Sequence, residues 1–382
     1  MTRAPWSGAA LRSRIVALVV LATSLLSVLG ATPLASLAWA AVKGNSKKLI
    51  KMGWDEPDTR FMRAHIAQME RSPFDGCVFH LPHVKPEWNE TGFTWEFWGH
   101  RAFTLSELKG PLADLQATSF RRFRSNFLRI NATPGDIDWF DDFGPVLGNA
   151  RLAARIAKQG GCAGLMFDPE TYKAHIWEYR SQRDTARKSW DEYAAQARRR
   201  GREMMTAFQA EWPGLTVFMA FAYSLPWHDL AGGRRPLDDG YYGLLKPFLD
   251  GMLEAAEGST TIVDGYELSY GYKDPELFAK AHRTMKRDVL SFVADSTKYR
   301  AHVSAGFGIW LDFGGEGWGW DENDMSKNYF TPDTLEFVLR RSLALADRYV
   351  WVYDQRPRWW TAEGKSARLP AVYDAAIRRA RK

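Results

Sequence analysis

The sequence predicts an α/β fold, a single (β/α)8 (TIM) barrel with long, aromatic-rich βα loops. Three observations carry this. Eight short apolar runs alternate with eight amphipathic stretches. The length suits one such barrel once an N-terminal segment is set aside. The surplus residues gather after the apolar runs, where barrel proteins build their sites.

The predicted strands, in order, are Lys48–Trp54, Phe74–Leu81, Asn126–Ala132, Ala163–Phe167, Leu215–Tyr223, Thr261–Tyr266, His302–Trp310 and Tyr349–Tyr353. The first helix is predicted over Asp58–Arg71, where Asp58 is a good cap and Phe61, Ile66 and Met69 fall near one face. The others are Leu105–Phe120, Val146–Gln159, Thr185–Trp212, Tyr241–Glu257, Pro275–Thr297, Pro332–Asp347 and Leu369–Arg381. Pro275 and Pro332 stand where a first helical turn tolerates proline. The competing doubly wound sheet usually shows a Gly-rich phosphate loop after its first strand. Here that place reads Gly53-Trp54-Asp55-Glu56-Pro57, which is acidic and cannot cradle phosphate.

Residues 1–40 read as a signal peptide and 41–382 as one barrel domain. Arg3, Arg12 and Arg14 precede an uncharged apolar run from Ile15 to Leu29, and Ala38-Trp39-Ala40 supplies small residues for cleavage. The run falls short of the roughly 20 residues of a membrane span, although an uncleaved anchor is the alternative. The expectation is an exported, periplasmic or extracellular protein with no stable membrane association after cleavage. Losing the segment lowers the formal charge from +6 to +3, a balance that argues against a nucleic-acid partner. The basic cluster from Arg183 to Arg202 is interspersed with Asp184, Asp191 and Glu192 and reads as a solvated helix face. Cys77 and Cys162 lie in apolar runs of different repeats and read as free thiols. No Cys/His spacing suggests a metal site, and no motif implies a cofactor. Nothing in the sequence sets the oligomeric state.

Aromatic residues make up 14% of the chain, with 17 Trp. Many Trp fall in predicted loops rather than at helical spacing. Trp88, Trp95 and Trp98 follow the second strand, Trp318 and Trp320 the seventh, and Trp359 and Trp360 the eighth. Flat rings in loops point to stacking platforms for sugar rings, against the plainer reading of a Trp-rich core.

Carboxylates recur at the predicted strand ends: Asp55 and Glu56, Asp168 and Glu170, Glu267, Asp312 and Asp354. Capping of the following helix accounts for some, above all Glu56 before Pro57 and Asp274 before Pro275. The Asp168-Pro169-Glu170 pair is different, because period-two alternation lets both side chains share one side. If Tyr266 packs outward, Glu267 points inward. Crowded carboxylates keep one of their number protonated. Acids among aromatic platforms suit cleavage of a glycosidic bond, which needs a proton donor and a second carboxylate.

On these residues the chain resembles secreted glycoside hydrolases of the (β/α)8 type from Lys48 to Asp354. The resemblance implies an acid/base carboxylate at the end of the fourth strand, Glu170 or Asp168. Retaining members often carry a Glu after strand seven. Here Trp310-Leu311-Asp312 stands there, so Glu267 becomes the expected partner. The Asp-x-Glu pattern is also similar to that of chitinase-like, substrate-assisted enzymes. That resemblance implies that Asp168 orients an acetamido group, helped by Tyr266 or Tyr270 and by Trp351 or Trp359. The expected catalytic set is Glu170, Glu267 and Asp168. The expected substrate-binding set is Asp55, His80, Trp98, Asn131, Tyr223, Tyr270, Trp310, Asp312, Asp354 and Trp359, acting on a poly- or oligosaccharide. A non-catalytic carbohydrate-binding barrel is the alternative of another class. An esterase or deacetylase acting on polysaccharide is another, although no Gly-x-Ser-x-Gly elbow is present to support a serine hydrolase.

Overall fold

The computed structural model describes residues 47–82, 92–314, 319–360 and 369–382. The expected signal peptide, Trp88 and Trp318 lie outside these.

Among the described residues nine parallel strand segments make one sheet: β1 (Lys48–Gly53), β2 (Gly76–Phe79), β3 (Phe127–Asn131), β4 (Gly164–Asp168), β5 (Thr216–Met219), β6 (Thr261–Asp264), β7 (Val303–Ala305), β8 (Phe307–Trp310) and β9 (Tyr349–Asp354). The sheet order is β7-β6-β5-β4-β3-β2-β1-β9-β8. β7 and β8 are two halves of one passage of chain, parted only at Gly306. The first half pairs with β6 and the second with β9, so the sheet closes on itself as an eight-passage barrel.

Helices follow the strands as the alternation predicts, and their caps explain their starts. Asp58 accepts the N–H of Phe61 at 2.7 Å to open α1 (Thr59–Met69). After α2 (Lys109–Ala117) and α3 (Gly144–Gln159), Ser189 and Glu192 form a capping box that starts α4 (Trp190–Glu211) five residues later than predicted. The fifth strand is shorter than predicted. Asp264 takes the N–H groups of Ala222 and Ser224 at 3.1 and 2.8 Å and turns the chain into α5 (Ser224–Asp229). The predicted Pro275–Thr297 helix divides into α7 (Pro275–Lys286) and α8 (Ser296–His302). It breaks at Arg287, and Asp295 caps the second piece. Asp274 caps α7, accepting the Glu276 N–H at 2.8 Å.

The Arg183–Arg202 stretch is not simply a solvated face. α4 packs tightly on α6 (Leu245–Ala255), where a Cβ on Gly201 would stand 1.9 Å from the Phe248 carbonyl oxygen. Arg198 and Arg202 both bond Glu254 across this contact. Arg200 is buried, donating to the Trp139 and Asp141 carbonyls. The barrel is completed by α9 (Pro332–Leu345) and α10 (Ala371–Ala380).

Register decides which side chains face the barrel axis. Neighbours in a parallel sheet share a side, and aromatic contacts between non-adjacent strands identify the inner one. Phe127 meets Phe218 at 5.4 Å and Tyr349 at 5.3 Å, and Phe218 meets Trp351 at 6.2 Å. These rings fill the interior. Gly308 has no side chain because a Cβ there would lie 2.7 Å from the Trp351 indole. Above this layer the same inward parity brings Met52, His80, Arg129, Asp168, Ala220, Trp310 and Tyr353 to the carboxyl end of the barrel. Cys77 and Cys162 are both free thiols.

Candidate active site

The inward-facing residues and the following loops enclose a cavity of about 830 Å³ at the carboxyl ends of the strands. Trp351 floors it, its indole N–H held by the Gly265 carbonyl at 2.8 Å. Asp168, Glu170 and Glu267 all open into it, with Glu56, Arg129, Tyr172 and Tyr270.

Asp168 ends β4 and turns inward as its strand alternates. One oxygen accepts the Glu170 N–H at 3.1 Å, and the other accepts the Tyr172 hydroxyl at 3.0 Å. Arg129 reaches Asp168 at 3.5 Å and Glu56 at 2.9 Å, and donates to Asn131 at 2.8 Å. Tyr172 also bonds the Glu170 carboxyl. Trp95 lies over the Arg129 guanidinium at 5.1 Å and meets Tyr172 edge-on at 5.3 Å. Tyr266 takes a left-handed backbone conformation, φ 45°, and is buried, which swings Glu267 into the cavity. Tyr270 bonds Glu267 and stacks on Tyr353 at 5.6 Å.

Several buried acids thus share one guanidinium, and their proton affinities separate accordingly. Burial would raise Glu56, but the Arg129 charge and the His80 hydrogen bond bring it down to about 2. Burial and the neighbouring Asp168 charge push Glu170 up to about 7. Glu267 is raised well above the usual carboxylate range by burial, then by Glu170 and Asp168. Burial also raises Asp168, opposed by Arg129 and its hydrogen bonds. Of the three, Asp168 has the cation and the donors that oppose its rise, and Glu170 exchanges its proton near neutrality.

Six expected site residues meet in this cavity: Asp168, Glu170, Glu267, His80, Tyr270 and Trp310. Asn131 is buried at its edge, positioning Arg129. The other expectations are corrected. Asp354 follows the inward-facing Tyr353 and so points out of the barrel, pairing with Lys51 at 3.1 Å. Asp55 joins that buried ion group through Lys51 and accepts the Trp359 N–H at 2.8 Å. Asp312 is fully buried, accepting the Trp310 indole N–H and the Gln355 and Arg356 N–H groups. Tyr223 is buried against Asp250, to which it donates at 3.1 Å. Trp359 packs edge-on against Phe74 at 4.8 Å.

Trp98 is core. Phe167 points out of the barrel, and Trp98 stacks on it at 5.9 Å among Trp139, Trp177 and Phe248. The loop after β2 therefore folds back over the outside of the wall at this point. Glu56 is not a helix cap, since Asp58 fills that role. Arg129 and Tyr172 were missed, although a lone arginine inside the apolar Asn126–Ala132 run is a visible anomaly.

Among the described residues no cluster of His, Cys, Asp or Glu is arranged to hold a metal ion. None of their helices is long and apolar enough to cross a membrane.

No protein-family model and no curated protein sequence matches the chain. The solved structures to which it is similar include the following three. A β-mannanase from the blue mussel Mytilus edulis is 9% identical, with a TM-score of 0.43 over 88% of this chain and 92% of its own. A GH5-4 broad-specificity endoglucanase from Bacteroides salanitronis is 12% identical, with a TM-score of 0.47 over 89% and 93%. A GH5_18 protein from Streptomyces cattleya, solved with GlcNAc, is 11% identical, with a TM-score of 0.45 over 88% and 81%. The fold of this chain rests on its own strand order and register.

Proposed function

We propose that this barrel is a glycoside hydrolase that cleaves glycosidic bonds in a poly- or oligosaccharide. The observation that carries the reading is the grouping of Glu170, pushed up to about 7, with Asp168, which Arg129 reaches at 3.5 Å, in an open, aromatic-lined cavity. An acid poised near neutrality is half ready to give a proton and half ready to take one, as a general acid/base must be. Glu170 protonates the departing glycosidic oxygen. Glu267 in its ionised form, with the proton on Glu170, attacks the sugar or activates water from the same cavity, and Asp168 stabilises the cationic transition state.

A second reading keeps Glu170 as the acid but takes the nucleophile from the substrate. Glu267 is raised well above the usual range and so is a reluctant anion. Asp168, Tyr270 and Trp351 line the same space, the constellation that would orient and floor an N-acetyl group.

Glu170→Gln and Glu267→Gln separate these roles. Glu170→Gln should lower turnover of a glycan at least ~100-fold, and that of an aryl glycoside with an activated leaving group far less. Glu267→Gln should damage both substrates alike if it attacks. It should spare an N-acetylated substrate if the acetamido group attacks instead. Near-normal cleavage of a natural glycan by Glu170→Gln would overturn the assignment.

A further inference from the structure

The cavity mouth carries two exposed aromatic stations on opposite sides of the barrel. Trp54, in the loop after β1, lines the cavity and is 58% exposed. Its indole N–H donates to the Tyr353 hydroxyl at 3.0 Å, which fixes the ring at the rim. Tyr172, after β4, is 48% exposed, and Tyr241, after β5, is 37% exposed. A strap of hydrogen bonds holds this second station: the Tyr241 hydroxyl meets Thr171 at 2.8 Å and His175 at 2.6 Å. These bonds fasten Tyr241 to the loop after β4, and in a ring of eight passages β4 lies three passages from β1.

Exposed aromatic side chains gathered about a cavity mouth and tethered through their polar ends, rather than scattered singly, mark a ligand-binding surface. Rings that offer a flat face beside hydroxyl and imidazole partners suit a sugar unit, which has an apolar face and a polar edge. Glu170 borders the second station through its bond to Tyr172 and opens into the cavity that Trp54 also lines.

We infer that a linear glycan chain lies across the mouth from Trp54 to Tyr241, occupying subsites on both sides of Glu170, so that cleavage falls within chains. The inference rests on the glycosidase reading and adds to it the mode of attack. A chain held on both sides of Glu170 is cut at an internal bond, whereas a cavity closed on one side admits only a chain end.

Binding tests this without requiring turnover. Calorimetric titration of the Glu170→Gln protein would use β-1,4-linked oligomers of mannose, glucose and N-acetylglucosamine, two to six units long. For at least one series, affinity should keep rising to five or six units. Trp54→Ala should cost about tenfold on the longest oligomer and little on the dimer, while Trp54→Phe retains most of the gain. Tyr241→Ala should remove a different part of the length dependence, additively with Trp54→Ala. Thermal melting of each variant distinguishes misfolding from lost contact. Affinity that saturates at two units, or no binding by any of the three series, overturns the track. Length-dependent binding by a wild-type protein that cleaves nothing would leave the track standing and refute the glycosidase reading.

Discussion

Glu170 behaves as it does because of its neighbours rather than its place in the sequence. Burial disfavours its charge, Asp168 repels it, and Arg129 offsets only part of this because it is committed to Glu56. The pH dependence follows with a definite sign. In the role proposed for it Glu170 works when protonated, and its proton affinity is raised to about 7. Activity should therefore fall as pH rises through about 7, with a limb in kcat/KM that reports the free protein. Removing Asp168's charge in Asp168→Asn takes away one of the causes, so that limb should move to lower pH. A limb that stays in place would mean Asp168 does not govern the Glu170 proton. The Asp168/Glu170 pair was legible as two acids two residues apart at a strand end, although β4 stops at Asp168 and the turn that brings Glu170 to the same cavity is held by its N–H on the Asp168 carboxylate. Asp354 and Asp55 were not, because strand alternation has two phases, and only the interstrand register says which is inward. Lys51 and Arg129 mark the two phases well: the first, outside the wall, neutralises Asp354, and the second, inside it, neutralises Asp168.

Elements were legible where a cap or an apolar run announced them and blurred where long-range contacts intervened. Asp58, Asp274 and Thr331 open their helices as capping chemistry demands. The division of the seventh passage at Gly306 depends on the Asp264 and Tyr349 backbones approaching it, which nothing local reveals. The α4–α6 contact is similar. Composition suggested a solvated basic helix, but Gly201 and Gly251 let two backbones touch, each leaving no room for a Cβ. Gly201→Ala should therefore destabilise the fold by about 1–3 kcal/mol through overpacking, despite alanine's better helix propensity. Chemical denaturation measures this directly. An unchanged or raised midpoint would mean the crossing relaxes freely.

At the scale of the whole molecule, eight alternating repeats were enough to read a barrel, and a barrel fixes where the site lies. The identity of the loop aromatics at the mouth was not legible, because a loop may fold over the wall as readily as over the cavity. Trp98 took the first course, and Trp54, with Trp95 and Tyr172, the second. The fold alone does not specify chemistry. What specifies it is the grouping of Asp168, Glu170 and Glu267 around one open space of about 830 Å³. The most direct test is the release of new reducing ends from soluble mannan, glucan and chitin derivatives by the purified protein, with Glu170→Gln alongside. The account predicts release from at least one polymer by the wild type and at least ~100-fold less by the variant. No release from any of them, or equal release by both proteins, would contradict it.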